Sequence, residues 1–168
     1  MTICTKNRVH YFGSIKEGKM ILSNAGKIVA EEWIKTEEIR DRVQLGKWVV
    51  MPNHVHGIIH LKSKKRRDAS HASLKALQYK EDGRGPSLQA IENLDYKNEF
   101  GPQHNNISSI VRGFKSVCTR RINESKKDHF GWQSGFYDHI IRSQKSLIKI
   151  EQYIQENPNR WNDDRYHS

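Results

Sequence analysis

The chain has 168 residues, long enough for one domain with a hydrophobic core, and its net charge of +10 predicts an anionic partner. No run of eighteen apolar residues occurs, which argues against a membrane span. The N-terminal residues lack the basic and apolar regions of a secretory signal, so we expect a cytoplasmic protein. Cys4 and Cys118 lack metal-ligand spacing and are expected to be reduced thiols.

The first forty residues predict a strand, a hairpin and a helix. Residues 2–7 have the character of a first strand. Residues 11–15 and 19–22 flank the turn-forming pair Glu17-Gly18, which indicates a β-hairpin. A helix is then expected to begin at Ser23 or Asn24, both good N-cap residues. It contains Ile28, Val29, Trp33 and Ile34, with Glu31 and Glu32 facing solvent.

Residues 43–51 and 54–62 predict two strands joined by the turn-forming pair Pro52-Asn53. Side chains alternate along a strand, so His54 and His56 share one face, which we expect to be open, while Val55 faces a layer of helices. Two imidazoles on one face form half of a divalent-metal site. Two polar residues on the exposed face of a strand would give the same pattern, so this observation alone leaves both readings open.

Residues 62–103 differ in composition from the rest of the chain. They open with the basic run 62–67, contain Gly-rich and polar stretches and have few aliphatic clusters. We therefore predict a single domain over residues 1–168 with a mobile insertion at 62–103. The basic run is either a phosphate-binding segment or an ordinary solvated charge run.

Helical spacing returns from residue 108, where apolar and basic residues are interleaved. Basic residues on such a helix usually form its solvated face, but the positive charge of the chain favours phosphate contacts, for Lys115 above all and then for Arg112 and Arg120. Residues 136–142 predict a final strand. On it, Tyr137 is a candidate base-stacking residue, with Arg142 as a further DNA-binding candidate.

A last helix is predicted over residues 143–157, with Ser143 as N-cap and Pro158 ending it. Tyr153 and Asn157 are four residues apart and therefore project from the same helix face. Taken alone, these two residues predict no more than a tyrosine that packs on the core and an asparagine at a helix end.

Together, these segments resemble the single-tyrosine His-hydrophobic-His (HUH) transposases, and most closely their REP-associated branch. His54-Val55-His56 is similar to the HUH motif, and Tyr153-Ile154 with Asn157-Pro158 is similar to the tyrosine motif. The resemblance extends, in order, to residues 2–8, 49–59, 113–116, 132–133 and 136–142.

Both the pattern of elements and the resemblance indicate an α+β fold. We expect an antiparallel sheet of four or five strands with two helices on one face, a ferredoxin-like or RRM-like core. The catalytic helix is expected to lie across or beside the open face of the sheet.

The resemblance implies a metal-dependent enzyme that cleaves and rejoins single-stranded DNA at REP-like hairpins. Tyr153 would be the nucleophile that forms a covalent 5′-phosphotyrosine. His54, His56 and Asn157 would hold Mg²⁺ or Mn²⁺, which suits mixed nitrogen and oxygen ligands. The pKa of tyrosine, near 10, calls for a proton acceptor that the motifs do not identify.

Related enzymes act as monomers or as homodimers, and both states are open here. Proteins of this family usually carry residues before the first strand, which here starts at the initiator methionine. A short start and an inactive, truncated copy are both consistent with that observation.

Two other classes of protein compete with this interpretation. One is a non-catalytic RRM-like module that binds single-stranded nucleic acid, although the RNA-binding strand motif is missing. The other is a metal-dependent hydrolase with His-x-His at the end of a barrel strand, for which the chain is too short. A covalent protein–DNA adduct distinguishes the transposase from both.

Overall fold

The computed structural model describes residues 1–62, 106–125 and 129–167. The predicted insertion therefore lies outside the described residues, apart from Lys62 at its start. The α+β class is confirmed. No described helix is long and apolar enough to cross a bilayer. In chain order the elements are β1 (Thr2–Cys4), β2 (Gly13–Lys16), β3 (Lys19–Leu22), α1 (Asn24–Glu38), β4 (Val43–Val50), β5 (His54–Leu61), α2 (Ile107–Ser125) and α3 (Gln144–Glu156).

The described strands form two separate antiparallel groups. β5 lies at the centre of a three-stranded sheet, between β1 and β4, while β2 and β3 form a hairpin of their own. The register pairs Thr2 with His56 and Cys4 with His54. The two histidines are therefore on the central strand, directly opposite the beginning of the chain.

Of the predicted strands, the first is shorter in the structure and the last does not form. The first ends at Cys4 instead of residue 7, because Lys6–Arg8 turns away with Asn7 and Arg8 at φ of 53°. The predicted final strand over residues 136–142 is wrong: only Tyr137 forms a bridge, to Thr2.

The core lies between the sheet and the first two helices. Ser23 caps α1 by accepting a hydrogen bond from Gly26 N–H at 3.1 Å, as the sequence predicted. The Trp33 ring of α1 packs edge-on against the Phe114 ring of α2, with 5.2 Å between the ring centroids. The two helices are also joined by an ion pair between Arg121 and Glu32. The two helices thus form the layer expected on one side of the sheet.

The α-helix ends just before Pro158, as predicted, and a 3₁₀ turn follows it directly. α3 begins as expected at the Ser143 cap and ends at Glu156, but a 3₁₀ turn continues over Asn157–Asp163. Pro158 lies in the first turn of this 3₁₀ segment, where its missing N–H has no intrahelical partner to lose. The 3₁₀ turn leads into residues 164–167, here called the C-terminal segment.

The C-terminal segment covers the histidine-bearing face of β5, which the sequence had predicted to be open. The Tyr166 ring lies 5.0 Å from the His54 ring and 5.6 Å from the His56 ring, centroid to centroid. His54 is 0% exposed and His56 4%. The histidines are consequently interior groups rather than surface ones.

Gly57, between His56 and Ile58, is required by packing. A Cβ at this position would overlap the Trp33 ring, and Trp33 is fully buried. Gly57→Ala should lower the free energy of unfolding in urea by about 1–3 kcal/mol. Gly131→Ala is the matched control, because its nearest neighbour would be 3.8 Å away. Equal stability of the two variants would contradict this packing argument.

Candidate metal centre

His54 and His56 are each held through the Nδ1 atom of the ring. His56 Nδ1 lies 2.8 Å from the Thr2 hydroxyl, a contact that follows from the β1–β5 register. His54 Nδ1 lies 2.8 Å from Asn53 Oδ1. The ring centroids are 4.4 Å apart. The sequence predicted correctly that the two side chains share a face.

Asp164 joins the two histidines, and sequence reasoning missed it. The ligand atoms of His54, His56 and Asp164 all lie within 4.8 Å of one another. Two ligands at about 2.1 Å from one cation are at most about 4.2 Å apart, so a small closure brings all three into contact with an ion. These three buried residues, here called the cluster, are able to hold a metal ion.

The Asp164 carboxylate is fixed by hydrogen bonds. Its Oδ1 accepts from Tyr166 N–H at 2.6 Å, and its Oδ2 accepts from Asn157 Nδ2 at 2.5 Å. Asn157 was predicted as a metal ligand, and its side chain does reach the cluster. The Asn157 Nδ2 group donates to Asp164. The Oδ1 atom of the same amide is buried and has no hydrogen-bond partner in the described part of the chain.

Burial keeps both imidazoles neutral. It lowers the pKa of His54 to about 2, with a further contribution from the neighbouring His56, and it also lowers the pKa of His56. For Asp164, burial acts to raise the pKa, but the nearby His56 ring and hydrogen bonds from Tyr166 and Asn157 outweigh it, and the pKa falls below its usual range. Neutral imidazole and ionised carboxylate are the protonation states that bind metals.

The donor set fits a divalent cation. His54 Nε2, like Asn157 Oδ1, is buried and has no hydrogen-bond partner among the described residues. Leaving such groups unsatisfied is costly, so buried acceptors without donors point to an ion. Two imidazole nitrogens with a carboxylate and an amide oxygen form a mixed nitrogen and oxygen site.

Tyr153 projects from α3 to the edge of the cluster. Its hydroxyl donates to Asp164 Oδ2 at 3.2 Å and lies 3.3 Å from His56 Nε2. The side chain is 41% exposed, so the hydroxyl reaches the buried cluster while the residue remains accessible. Burial and then the charge of Asp164 raise the pKa of Tyr153 to about 12. Asp164 and His56 are therefore the groups beside the hydroxyl that are chemically able to accept its proton.

The predicted DNA-binding residues are not all equally available. The Lys115 ammonium donates to the carbonyl oxygens of Gln133 and Gly135, so it holds a loop in place. Arg112 and Arg120 are exposed and line a cleft of about 600 Å³ along α2. Arg142 is exposed. Tyr137 is 46% exposed, with the Arg165 guanidinium 5.9 Å from its ring centroid.

Fold and site define an α+β protein with a buried histidine–aspartate cluster beside an accessible tyrosine. The chain is 32% identical over 166 residues to an uncharacterized protein of Haemophilus influenzae, covering 98% of this chain and 82% of the relative. It belongs to the family of that protein. No family model matches the chain, and no solved structure does.

Acidification should destabilise the metal-free protein. In the folded state the pKa of His54 is about 2, and that of His56 is also lowered, whereas in the unfolded chain both are near ~6.5. Below the pKa of the unfolded state, the unfolded chain binds more protons than the folded protein. The free energy of unfolding is therefore highest above this pKa and falls as the pH decreases below it. The lowered pKa of Asp164 adds a loss only below about pH 4.

The free energy of unfolding should fall by up to about 1.4 kcal/mol per pH unit for each of His54 and His56. Urea unfolding in EDTA between about pH 7.5 and pH 5 measures this slope. His54→Gln should reduce the slope, whereas His60→Gln, which changes an exposed histidine on the same strand, should not. An unchanged slope in His54→Gln would show that its burial is not what makes the protein acid-sensitive.

Mn²⁺ should stabilise the protein against heat in a concentration-dependent way, because a ligand that binds the folded state alone shifts the unfolding equilibrium. At one hundred times the dissociation constant, the gain is about 2.7 kcal/mol. Asp164→Asn should lose most of this gain, and Asp163→Asn, which changes the exposed neighbour, should keep it. Equal stabilisation of both variants by Mn²⁺ would remove Asp164 from the metal site.

Proposed function

We propose that the protein is a REP-associated, single-tyrosine HUH transposase, an enzyme that cleaves and rejoins single-stranded DNA at hairpin sequences. The observation that carries this proposal is Tyr153, a residue that is 41% exposed while its hydroxyl lies within 3.3 Å of both Asp164 and His56. A nucleophile beside a cluster suited to a divalent cation is the arrangement needed for cleavage of a phosphodiester.

The reaction begins when the Tyr153 oxygen attacks the scissile phosphorus. A bond forms between that oxygen and phosphorus, and the bond from phosphorus to the 3′ oxygen breaks. The products are a 5′-phosphotyrosine and a 3′-hydroxyl. The proton leaves Tyr153 toward Asp164 Oδ2, to which it is already hydrogen-bonded, and a proton is taken up by the departing 3′ oxygen. Attack by a 3′-hydroxyl on the same link reverses the chemistry, so rejoining needs no ATP.

His54, His56 and Asp164 are the residues that would hold Mn²⁺ or Mg²⁺, with the Asn157 oxygen as a fourth candidate ligand. When bound, the ion supplies a Lewis acid that neutralises the charge of the phosphate oxygens. The protein contributes a single negative charge, that of Asp164, because both imidazoles are neutral. A divalent ion would therefore keep a net positive charge in the site, which favours an anionic substrate.

A row of cationic and aromatic side chains, arranged around the buried Tyr166 ring, adjoins the cluster and suits a single strand. The Arg8 and Arg165 guanidinium groups lie 5.1 and 4.8 Å from the centroid of the Tyr166 ring. Tyr137 continues the row, 6.0 Å from Tyr166 between ring centroids. Guanidinium groups bind phosphates, and an exposed tyrosine ring offers a stacking surface for a base. A flexible single strand is able to follow such a row into the site.

Tyr153→Phe tests the nucleophile directly. The wild-type protein, mixed with labelled hairpin-bearing single-stranded DNA and Mn²⁺, should give a protein–DNA species that survives boiling in SDS. Tyr153→Phe keeps the ring but removes the attacking oxygen, so it should bind DNA with unchanged affinity and form no detectable adduct. Peptide mapping should place the DNA on Tyr153.

Tyr137→Phe is the matched control, since it removes the hydroxyl of another exposed tyrosine near the cluster and should form the adduct at the wild-type rate. An adduct that persists in Tyr153→Phe would move the nucleophile to another residue. If the wild type formed no adduct with any divalent metal, although it bound DNA, the protein would be a non-catalytic binding module or an inactive copy.

Arg165→Ala tests the DNA path. Removing one phosphate contact should weaken single-stranded DNA binding about fivefold, or about 1 kcal/mol, at low salt. The log–log dependence of affinity on salt should become shallower by about 0.7. Lys27→Ala removes the same charge from the exposed surface of α1, which lies on the opposite side of the sheet from the cluster, and should have little effect. Equal losses in both variants would mean that the DNA follows no particular path on the protein.

A further inference from the structure

Asn53 is a buried polar residue in the turn between β4 and β5, and its side chain has three partners. It is 1% exposed and immediately precedes His54. Its Nδ2 donates to the backbone carbonyl oxygens of Arg8 at 3.2 Å and Tyr166 at 2.9 Å. Its Oδ1 lies 2.8 Å from His54 Nδ1. The one amide thus touches the start of the chain, the C-terminal segment and a residue of the cluster.

These partners allow one orientation of the amide. Both carbonyl oxygens are acceptors, so the group facing them has to be the NH₂, which carries two hydrogens. A flipped amide would place its oxygen against two other oxygens in a buried position. The atom facing His54 is therefore Oδ1, a pure acceptor.

The orientation of the amide determines which nitrogen of His54 carries the proton. An acceptor at 2.8 Å from Nδ1 requires that Nδ1 donate. In a neutral imidazole with a proton on Nδ1, Nε2 has a free lone pair. Nε2 is the buried atom of His54 for which the described residues provide no partner.

We propose that Asn53 is a positioning residue that holds His54 in the Nδ1-protonated tautomer and so presents Nε2 to a cation. Its second amide hydrogen ties the same residue to Tyr166, two positions from Asp164. Asn53 therefore contacts both His54, whose tautomer it fixes, and the C-terminal segment, which carries Asp164. The proposal deepens the proposed function at its metal site, but its first test needs neither metal nor DNA.

That test is long-range ¹H–¹⁵N NMR of the ring nitrogens in the metal-free full-length protein at about pH 8, where His54 is neutral. The His54 signals are assigned by their disappearance in His54→Gln. The wild type should show the Nδ1–H form. Asn53→Ala removes the acceptor, and His54 should then populate the Nε2–H form.

Two further variants separate positioning from stability. Asn53→Asp keeps an acceptor toward His54 but turns an oxygen toward the two carbonyl groups, so it should lose stability and retain the Nδ1–H form. Thr5→Val removes a buried hydroxyl that donates to Val9 O and Asn53 O, without touching His54. It should also lose stability and leave the tautomer unchanged.

Calorimetric titration with MnCl₂ gives the second readout. Loss of an outer hydrogen bond to a ligating histidine typically weakens metal binding about 10–100-fold, and we expect this for Asn53→Ala. Asn53→Asp and Thr5→Val should stay within a few-fold of the wild type. Metal affinity would then follow the acceptor at position 53, whereas a merely structural role would make it follow the free energy of unfolding.

Three results would overturn the proposal. They are an Nε2–H tautomer in the wild type, an Nδ1–H tautomer that survives in Asn53→Ala, or Mn²⁺ affinities of all three variants that fall in proportion to their stability. Because the tautomer is read without metal or DNA, a wild type that forms no DNA adduct would overturn the proposed function and leave the assignment for Asn53 standing.

Discussion

Two neutral imidazoles buried on the central strand are the constraint around which the site is organised. Each ring needs a partner for Nδ1, and each finds it in a neighbouring residue: Thr2 across the β1–β5 register and Asn53 in the preceding turn. With Nδ1 engaged, Nε2 of each ring points toward the remaining members of the cluster. A buried acceptor without a donor is expensive to maintain, so its persistence argues for a function rather than for stability.

The Asp164 carboxylate has two effects on the site, and they oppose each other. Asp164 contributes the negative charge that attracts a cation, and it also accepts the hydrogen bond of Tyr153. Without a cation nearby, its charge disfavours the tyrosinate, as the raised pKa of Tyr153 reflects. A positive charge in the cluster would offset that effect, so the pKa of Tyr153 would depend on whether a cation occupies the site.

The sequence predicted the features that depend on local spacing. The alternation of side chains in β5 predicted that His54 and His56 share one face of the strand. Helical spacing predicted that Tyr153 and Asn157 share one face of α3. It failed where position depends on distant contacts. Nothing in the stretch Asn162-Asp163-Asp164 distinguishes the exposed Asp163 from the buried Asp164, because only the path of the 3₁₀ turn does so. Spacing also gave no sign that the Lys115 ammonium donates to two carbonyl oxygens of the loop before Tyr137; its phosphate contact stays a prediction.

The contribution of Pro158 to the path of the chain has a consequence for folding. Pro158 lies in the first turn of the 3₁₀ segment that leads Asp164 back to β5. The Thr2 residue that pairs with β5 lies 162 positions before Asp164 in the sequence. Contacts of such separation form late, since the loop between them has to close first. The cluster is therefore complete only once the two ends of the described fold have met, which makes it one of the last parts of the structure to form.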